Sequence, residues 1–190
     1  MIELFTENKE FKNKNYTKSP LPKGEYDTCT FINCNFADSD LSMCTFLDCE
    51  FEECNMSMAK MNGVSLNEVQ FTNCKLLGVI FSNCNTFLFS ANFDNCQLNL
   101  ASFYQLKLIK KVFKDSSLQE VDFTQTDLAE TRFEHCDLSR AVFEQTNLEK
   151  VDFRTSYNYS IDPELNKMSN SKFSKENLEG LLGKYGLEVE

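Results

Sequence analysis

A large apolar residue stands at every fifth position over most of this chain, and a period of five fits neither the 3.6-residue repeat of a helix nor the two-residue repeat of a strand. From Tyr26 the series Phe31, Phe36, Leu41, Phe46, Phe51, Met56, Met61, Leu66, Phe71, Leu76, Phe81 runs unbroken. After one irregular step it resumes at Leu88 and continues through Phe93, Leu98, Phe103, Leu108, Phe113, Leu118, Phe123, Leu128, Phe133, Leu138, Phe143 and Leu148 to Phe153, alternating Leu and Phe. A backbone that returns the same slot to the core every five residues must turn a corner in each repeat, so the pattern specifies a solenoid. Two positions before each large residue stands a smaller one, such as Cys29, Cys34, Ala59, Val64, Ala101 or Thr126, which also faces inward. The three other positions carry mostly Asp, Glu, Asn, Gln, Ser, Thr and Lys, which want water.

Thr126-Asp127-Leu128, Cys136-Asp137-Leu138, Thr146-Asn147-Leu148 and Val151-Asp152-Phe153 each place a small residue, then Asp or Asn, then a large apolar one. On these motifs residues 24–156 resemble the pentapeptide-repeat family. The resemblance implies an all-β solenoid, a right-handed quadrilateral β-helix with about twenty residues per coil. The Leu/Phe alternation then puts Phe on two opposite sides and Leu on the other two. Residues 1–23, with Pro20 and Pro22, are expected to lie across the N-terminal end as a cap, and residues 157–190 to form a C-terminal capping and dimerisation segment. Within that segment Ser174 is the N-cap candidate of an amphipathic helix whose stripe is Leu178, Leu181, Leu182 and Tyr185, and Gly186 ends it. Leu187 and Val189 alternate like a strand, and Tyr157 and Tyr159 add to an apolar tail that either caps its own rod or joins two. The resemblance favours a homodimer, because related proteins dimerise through a C-terminal helix and extension.

Two irregularities interrupt the rod. Two extra residues enter near 82–87, which predicts a bulge or bend dividing the rod into two stacks, or else a tolerated insertion at a corner. Lys111 falls in an inward slot, where an unpaired ammonium is costly, so its coil is expected to distort until the side chain reaches water. The nine Cys sit almost entirely in small inward slots, with no CxxC pair and a single His, His135, in an outward one. They read as small buried hydrophobes and free thiols, even where Cys29/Cys49 or Cys54/Cys74 stack. No metal, no cofactor and no catalytic residue is expected, because a packed solenoid core leaves no cleft in which a base and a nucleophile converge.

Charge is the remaining signal. The net charge is −10, with two basic against nine acidic residues over 26–106 and three against ten over 115–153. This argues against direct binding to nucleic acid or an anionic membrane, both of which attract Lys and Arg. No apolar run is long enough to span a bilayer and no basic-then-apolar leader is present, so the expected location is cytoplasmic. Asp48, Glu50, Glu52 and Glu53 cluster in the first stack, and Asp122, Asp127, Glu130, Glu134, Asp137, Glu144, Glu149 and Asp152 surround the second. One reading is a solvated surface that keeps the protein soluble. The other is DNA mimicry, an acidic rod occupying a protein groove built for duplex DNA. The resemblance supports the second, since the Qnr and MfpA proteins and the microcin B17 immunity protein engage bacterial type II topoisomerases, the first two in connection with quinolone resistance. The expected partner is therefore DNA gyrase or topoisomerase IV, with an effect on quinolone or toxin sensitivity. This rod lacks the long loops of the Gram-negative Qnr proteins. The alternative is an adaptor solenoid that docks a different protein on an outward apolar strip of Ile32, Met43, Leu47, Met58 and Leu77.

Overall fold

A computed structural model, describing residues 4–87 and 89–187, turns each five-residue repeat into one side of a square coil. Side 1 carries β1 (Leu4–Glu7), β3 (Gly24–Asp27), β5 (Thr45–Leu47) and β7 (Ser65–Asn67). Side 2 carries β2 (Glu10–Lys12), β4 (Thr30–Ile32), β6 (Glu50–Glu52), β8 (Val69–Thr72), β9 (Ala91–Asp94), β10 (Val112–Lys114) and β11 (Arg132–Glu134). Every pairing is parallel and joins equivalent residues of successive coils, Tyr26 with Phe46 and Phe31 with Phe51. Sides 3 and 4 are held by isolated bridges such as Asn35 with Asn55 and Ser102 with Asp122. The chain is a right-handed quadrilateral β-helix.

The core follows from the alternation. Side 2 sends Phe inward at every level from Phe11 to Phe173, with successive ring centroids 4.7–5.4 Å apart. The opposite side stacks Phe81, Phe103, Phe123 and Phe143 in the same way, and the two columns meet edge-on, as at Phe103 and Phe113. Leu98, Leu118 and Leu138 fill side 3, and Leu108, Leu128 and Leu148 fill side 1. Each such ring contributes roughly 1.5–3 kcal/mol by leaving water.

Corners are made by the residue two beyond each inward one, which adopts a left-handed backbone: φ is 50° at Asn33, 56° at Asp38 and 60° at Glu130. That conformation costs a non-glycine residue roughly 1–2 kcal/mol. The turn offsets it by aiming the corner N–H along the rod, where Asn33 donates to Glu52 O (2.9 Å), Asp38 to Ser57 O (2.9 Å) and Glu130 to Glu149 O (2.8 Å).

All nine Cys are buried free thiols. Burial pushes Cys84 and Cys136 up to about 12, so these thiols stay protonated. They do more than fill space. Cys34, Cys54, Cys74 and Cys96 form one column that continues as Ser116, Cys136 and Ser156, and, Ser116 apart, their S–H and O–H groups reach the carbonyl of the inward Phe one coil earlier, Cys54 Sγ to Phe31 O (3.3 Å) and Ser156 Oγ to Phe133 O (2.8 Å). The repeat selects a small donor at this slot.

Four expectations change. Residues 4–23 are no separate cap but the first coil, with β1 paired to β3, β2 to β4, and Tyr16 stacked on Phe36. The irregularity near 82–87 does not divide the rod, because only side 1 is interrupted. Asn85 still bonds Ser65 at the old register, Val69 pairs with Ala91 at the new one, and the stacks Phe71–Phe93 (5.4 Å) and Phe81–Phe103 (4.8 Å) run straight past. Phe89 is buried against Phe81 there, while Leu88 lies outside the described residues. Lys111 is half-buried, with Nζ donating to Ser90 Oγ (2.5 Å) and that hydroxyl donating to the exposed Glu68 (2.8 Å), so a relay that ends at the surface meets the ammonium and the coil keeps its register. At the C-terminus the coil continues through bridges Tyr157–Asp137, Lys167–Asn147 and Lys172–Asp152, and the helix that follows is 3-10, Lys175–Leu181 and Gly183–Tyr185, broken at Asn177. Ser174 sits at its N-cap, where its Oγ accepts from the Asn177 side chain (3.3 Å) rather than capping a backbone N–H, and Gly186 ends it at φ 59°.

Candidate protein-binding surfaces

Strand alternation sets the acidic edge of the first stack. On β6, Phe51 points inward, so Glu50 and Glu52 must point out, and Asp48 and Glu53 occupy the left-handed corners at either end. All four are exposed, and none takes part in an ion pair among the described residues. They form a compact patch of uncompensated negative charge.

The acids of residues 122–152 are arranged differently. Asp127, Glu130 and Glu149 lie on side 1, Glu134 and Asp152 on side 2, Asp137 on side 3, and Asp122 and Glu144 on side 4. No single side gathers them. Many are also compensated: Glu130 lies between Lys110 (3.9 Å) and Lys150 (3.8 Å), Glu134 pairs with Arg132 (3.2 Å), and Asp152 with Arg154 (2.7 Å). The Arg154 bonds hold Asp152 below the usual carboxylate range. Burial opposes ionisation of Asp137, but bonds from Ser139, Gln119 and Asn158 outweigh it and hold its carboxyl low as well. Asp122 accepts from Ser102 and Thr124, and Asp127 from Ala129 and Asn147. Much of this surface is a lattice of paired groups rather than a field of free carboxylates.

At the C-terminal end the expected residues separate by depth. Tyr159 is buried, its ring 5.7 Å from Phe153 and 5.5 Å from Phe173, so it belongs to the cap's interior. Leu181 and Leu182 are half-buried, while Tyr157, Leu178, Tyr185 and Leu187 remain exposed. Val189 lies outside the described residues. Lys184 clamps the cap to the last coil through Asp162 and Glu164, each at 2.8 Å.

The apolar strip read from the sequence does not form. Ile32, Leu47 and Leu77 are half-buried on sides 2, 1 and 3, and Met43 and Met58 stand at the two corners that bound side 4. Side 4 itself groups Met58 with Ile80, Leu100 and Tyr104. The step of twenty-two residues across the break, from Ile80 to Ser102, creates this neighbourhood, and a fixed period of five hides it.

Geometry thus defines a class first: a parallel β-solenoid with a stacked aromatic core and a charged exterior. The family model for the pentapeptide repeat region matches residues 25–89 and 86–157, and the chain belongs to that family. No curated protein matches it. Among solved structures, full-length QnrB1, described as a plasmid-mediated fluoroquinolone resistance protein, is similar at 16% identity and a TM-score of 0.52, over 96% of this chain and 100% of that one. A trypsin-treated variant of QnrB1 gives 20% identity and a TM-score of 0.49 over 99% and 98%. HetL from the cyanobacterium Nostoc, involved in heterocyst differentiation, gives 14% and 0.39 over 90% and 87%. The likeness to full-length QnrB1 is one of fold. No helix among the described residues is long and apolar enough to cross a membrane.

Proposed function

We propose that this protein is a non-enzymatic, cytoplasmic binding rod that offers its acidic surface to the DNA-binding groove of a bacterial type II topoisomerase, DNA gyrase or topoisomerase IV, and so modulates sensitivity to quinolones or to a toxin. The observation that carries the reading is the exposed edge Asp48, Glu50, Glu52 and Glu53, four carboxylates with no cation partner on a rigid coil of a chain with net charge −10. A basic groove evolved for a polyanion attracts such an edge, while free nucleic acid is repelled by it. The fluoroquinolone-resistance role of QnrB1, which has the same fold, is consistent with that partner. In this reading two copies join through the exposed Tyr157, Leu178, Tyr185 and Leu187 of the C-terminal end. Supercoiling by purified gyrase, with and without a quinolone, tests the proposal. A dose-dependent change in activity or in drug inhibition supports it, and no effect on activity or binding at micromolar protein removes it. The adaptor reading gains weight from one observation, the uncharged centre of side 4.

A further inference from the structure

Side 4 differs from the rest of the exterior. Between Lys60 and Asp122, two successive coils place only Gly78, Ile80 and Ser82, then Leu100, Ser102 and Tyr104, on this side before its next corner. Leu100 is 58% exposed and held at φ 62°, a left-handed corner that suits Asn, Asp or Gly far better than leucine. Gly78 leaves a shallow dent one coil away, covered by the flexible thioether of Met58. The left-handed φ is that of the rod's corners generally, so what packing within the rod does not require is the exposed leucine side chain itself, one level from the Met58 thioether that fills the space beside Gly78.

Lys60 at one end of this patch and Asp122 at the other carry opposite charges and neither takes part in an ion pair among the described residues, whereas Asp40 is paired with Lys23 and Glu120 with Arg140. Asp38, Met58, Gly78, Leu100, Glu120 and Arg140 occupy successive levels of the corner between sides 3 and 4. Asp40, Lys60, Ile80, Ser102, Asp122 and Val142 follow the same order beside them. A two-fold axis lying in the plane of contact, across the rod and midway between the Gly78 and Leu100 levels, reverses the order of levels and keeps each residue's place along the side. It sets Leu100 of one copy over Gly78 and Met58 of the other. It also sets Lys60 opposite Asp122, twice by symmetry, and brings Asp38 to the Arg140–Glu120 ion pair of the other copy, with Met58 facing Glu120.

We propose that side 4 is a self-association surface on which two copies of this chain dock antiparallel, side by side, with the uncharged centre at the axis. This contact is separate from any joining through the C-terminal end. Its extent argues for a weak dimer. Five steps of ~4.8 Å by about 13 Å of strand cover a few hundred Å² per copy, below the ~800 Å² per partner of a stable complex. Two chains of net charge −10 repel overall, so the paired Lys60 and Asp122 select the register in which the copies meet.

Sedimentation equilibrium of the full chain, up to several hundred micromolar, tests this. Lys60→Glu alone and Asp122→Lys alone are each expected to weaken association by about tenfold or more, and the double swap to restore it to within about threefold of wild type, because the pair is rebuilt with signs exchanged. Leu100→Lys is expected to abolish the contact, while circular dichroism of all variants stays unchanged. A chain that remains monomeric throughout, or a dimer indifferent to Lys60 and Asp122, would overturn the proposal, the first leaving side 4 for a different protein and the second locating the dimer at the C-terminal end.

Discussion

Inward rings in the middle of sides 4 and 2 are gripped by identical rings above and below and by the crossing column at the edge, as Phe123 is by Phe103 (5.4 Å), Phe143 (5.2 Å) and Phe113 (5.9 Å). Neighbouring coils are fixed by their ladder and cannot collapse into a void, so Phe123→Ala is expected to destabilise by about 3–5 kcal/mol in chemical denaturation. A loss under ~1 kcal/mol would contradict the stacked core. Surface carboxylates act on a smaller scale through pH. The bonds that Asp40 accepts from Ser42 and Lys23 hold it down to about 2, and Asp137 and Asp152 are also lowered. A group depressed on folding stabilises above its unfolded value near 4 and loses that contribution as pH falls through the folded value. Thermal unfolding temperature should therefore hold from neutral pH to about pH 5 and fall between about 4 and 2. A flat profile down to pH 2 would show these bonds to be inconsequential.

Coils are the elements here, and the ends decide whether they stay closed. Gly180 lies against the Tyr159 ring, with ring carbons at 2.6 and 2.8 Å from where a methyl group would sit, and its carbonyl accepts from Ile161 N–H (2.8 Å). Gly180→Ala is expected to lift the 3-10 segment, costing roughly 1–3 kcal/mol and exposing the rings of Tyr159 and Phe173. Protease cleavage after Lys175 or Lys184 should accelerate, and cleavage at the wild-type rate would place the cap elsewhere. The middle coils were legible in the sequence because Phe and Leu repeat there in phase. The first coil was not, although Phe11, Tyr16 and Leu21 keep the phase, because Thr6 fills the first large slot and Pro20 and Pro22 read as a boundary. The helix type was also hidden. Leu178, Leu181, Leu182 and Tyr185 suit an α-helix, but Gly180 and Gly183 allow a tighter path laid flat on the last coil, with Asn177 bonded to the Ser156 carbonyl (3.3 Å). Of the candidate sites, the edge from Asp48 to Glu53 was readable, because strand alternation alone turns those acids outward. The pairing of the later acids across coils was not, since it depends on residues about twenty apart.

At the scale of the whole molecule the stacked Phe column makes a continuous rod, about 38 Å over the eight steps from Phe11 to Phe173 at ~4.8 Å each. Its charge is uneven: free carboxylates at the first-stack edge, paired lattices further along, and an uncharged patch on side 4. In the proposed function the topoisomerase contact therefore falls on the edge rather than on the later acids. Reversing Asp48, Glu50, Glu52 and Glu53 to Lys leaves Phe51 and the core untouched, since all four point into solvent. The decisive measurement is the affinity of wild type and this quadruple variant for purified DNA gyrase at two salt concentrations, with circular dichroism as the check on folding. The account predicts salt-sensitive binding by wild type and at least tenfold weaker binding by the variant. Equal affinity of the two proteins at both salt concentrations would contradict it.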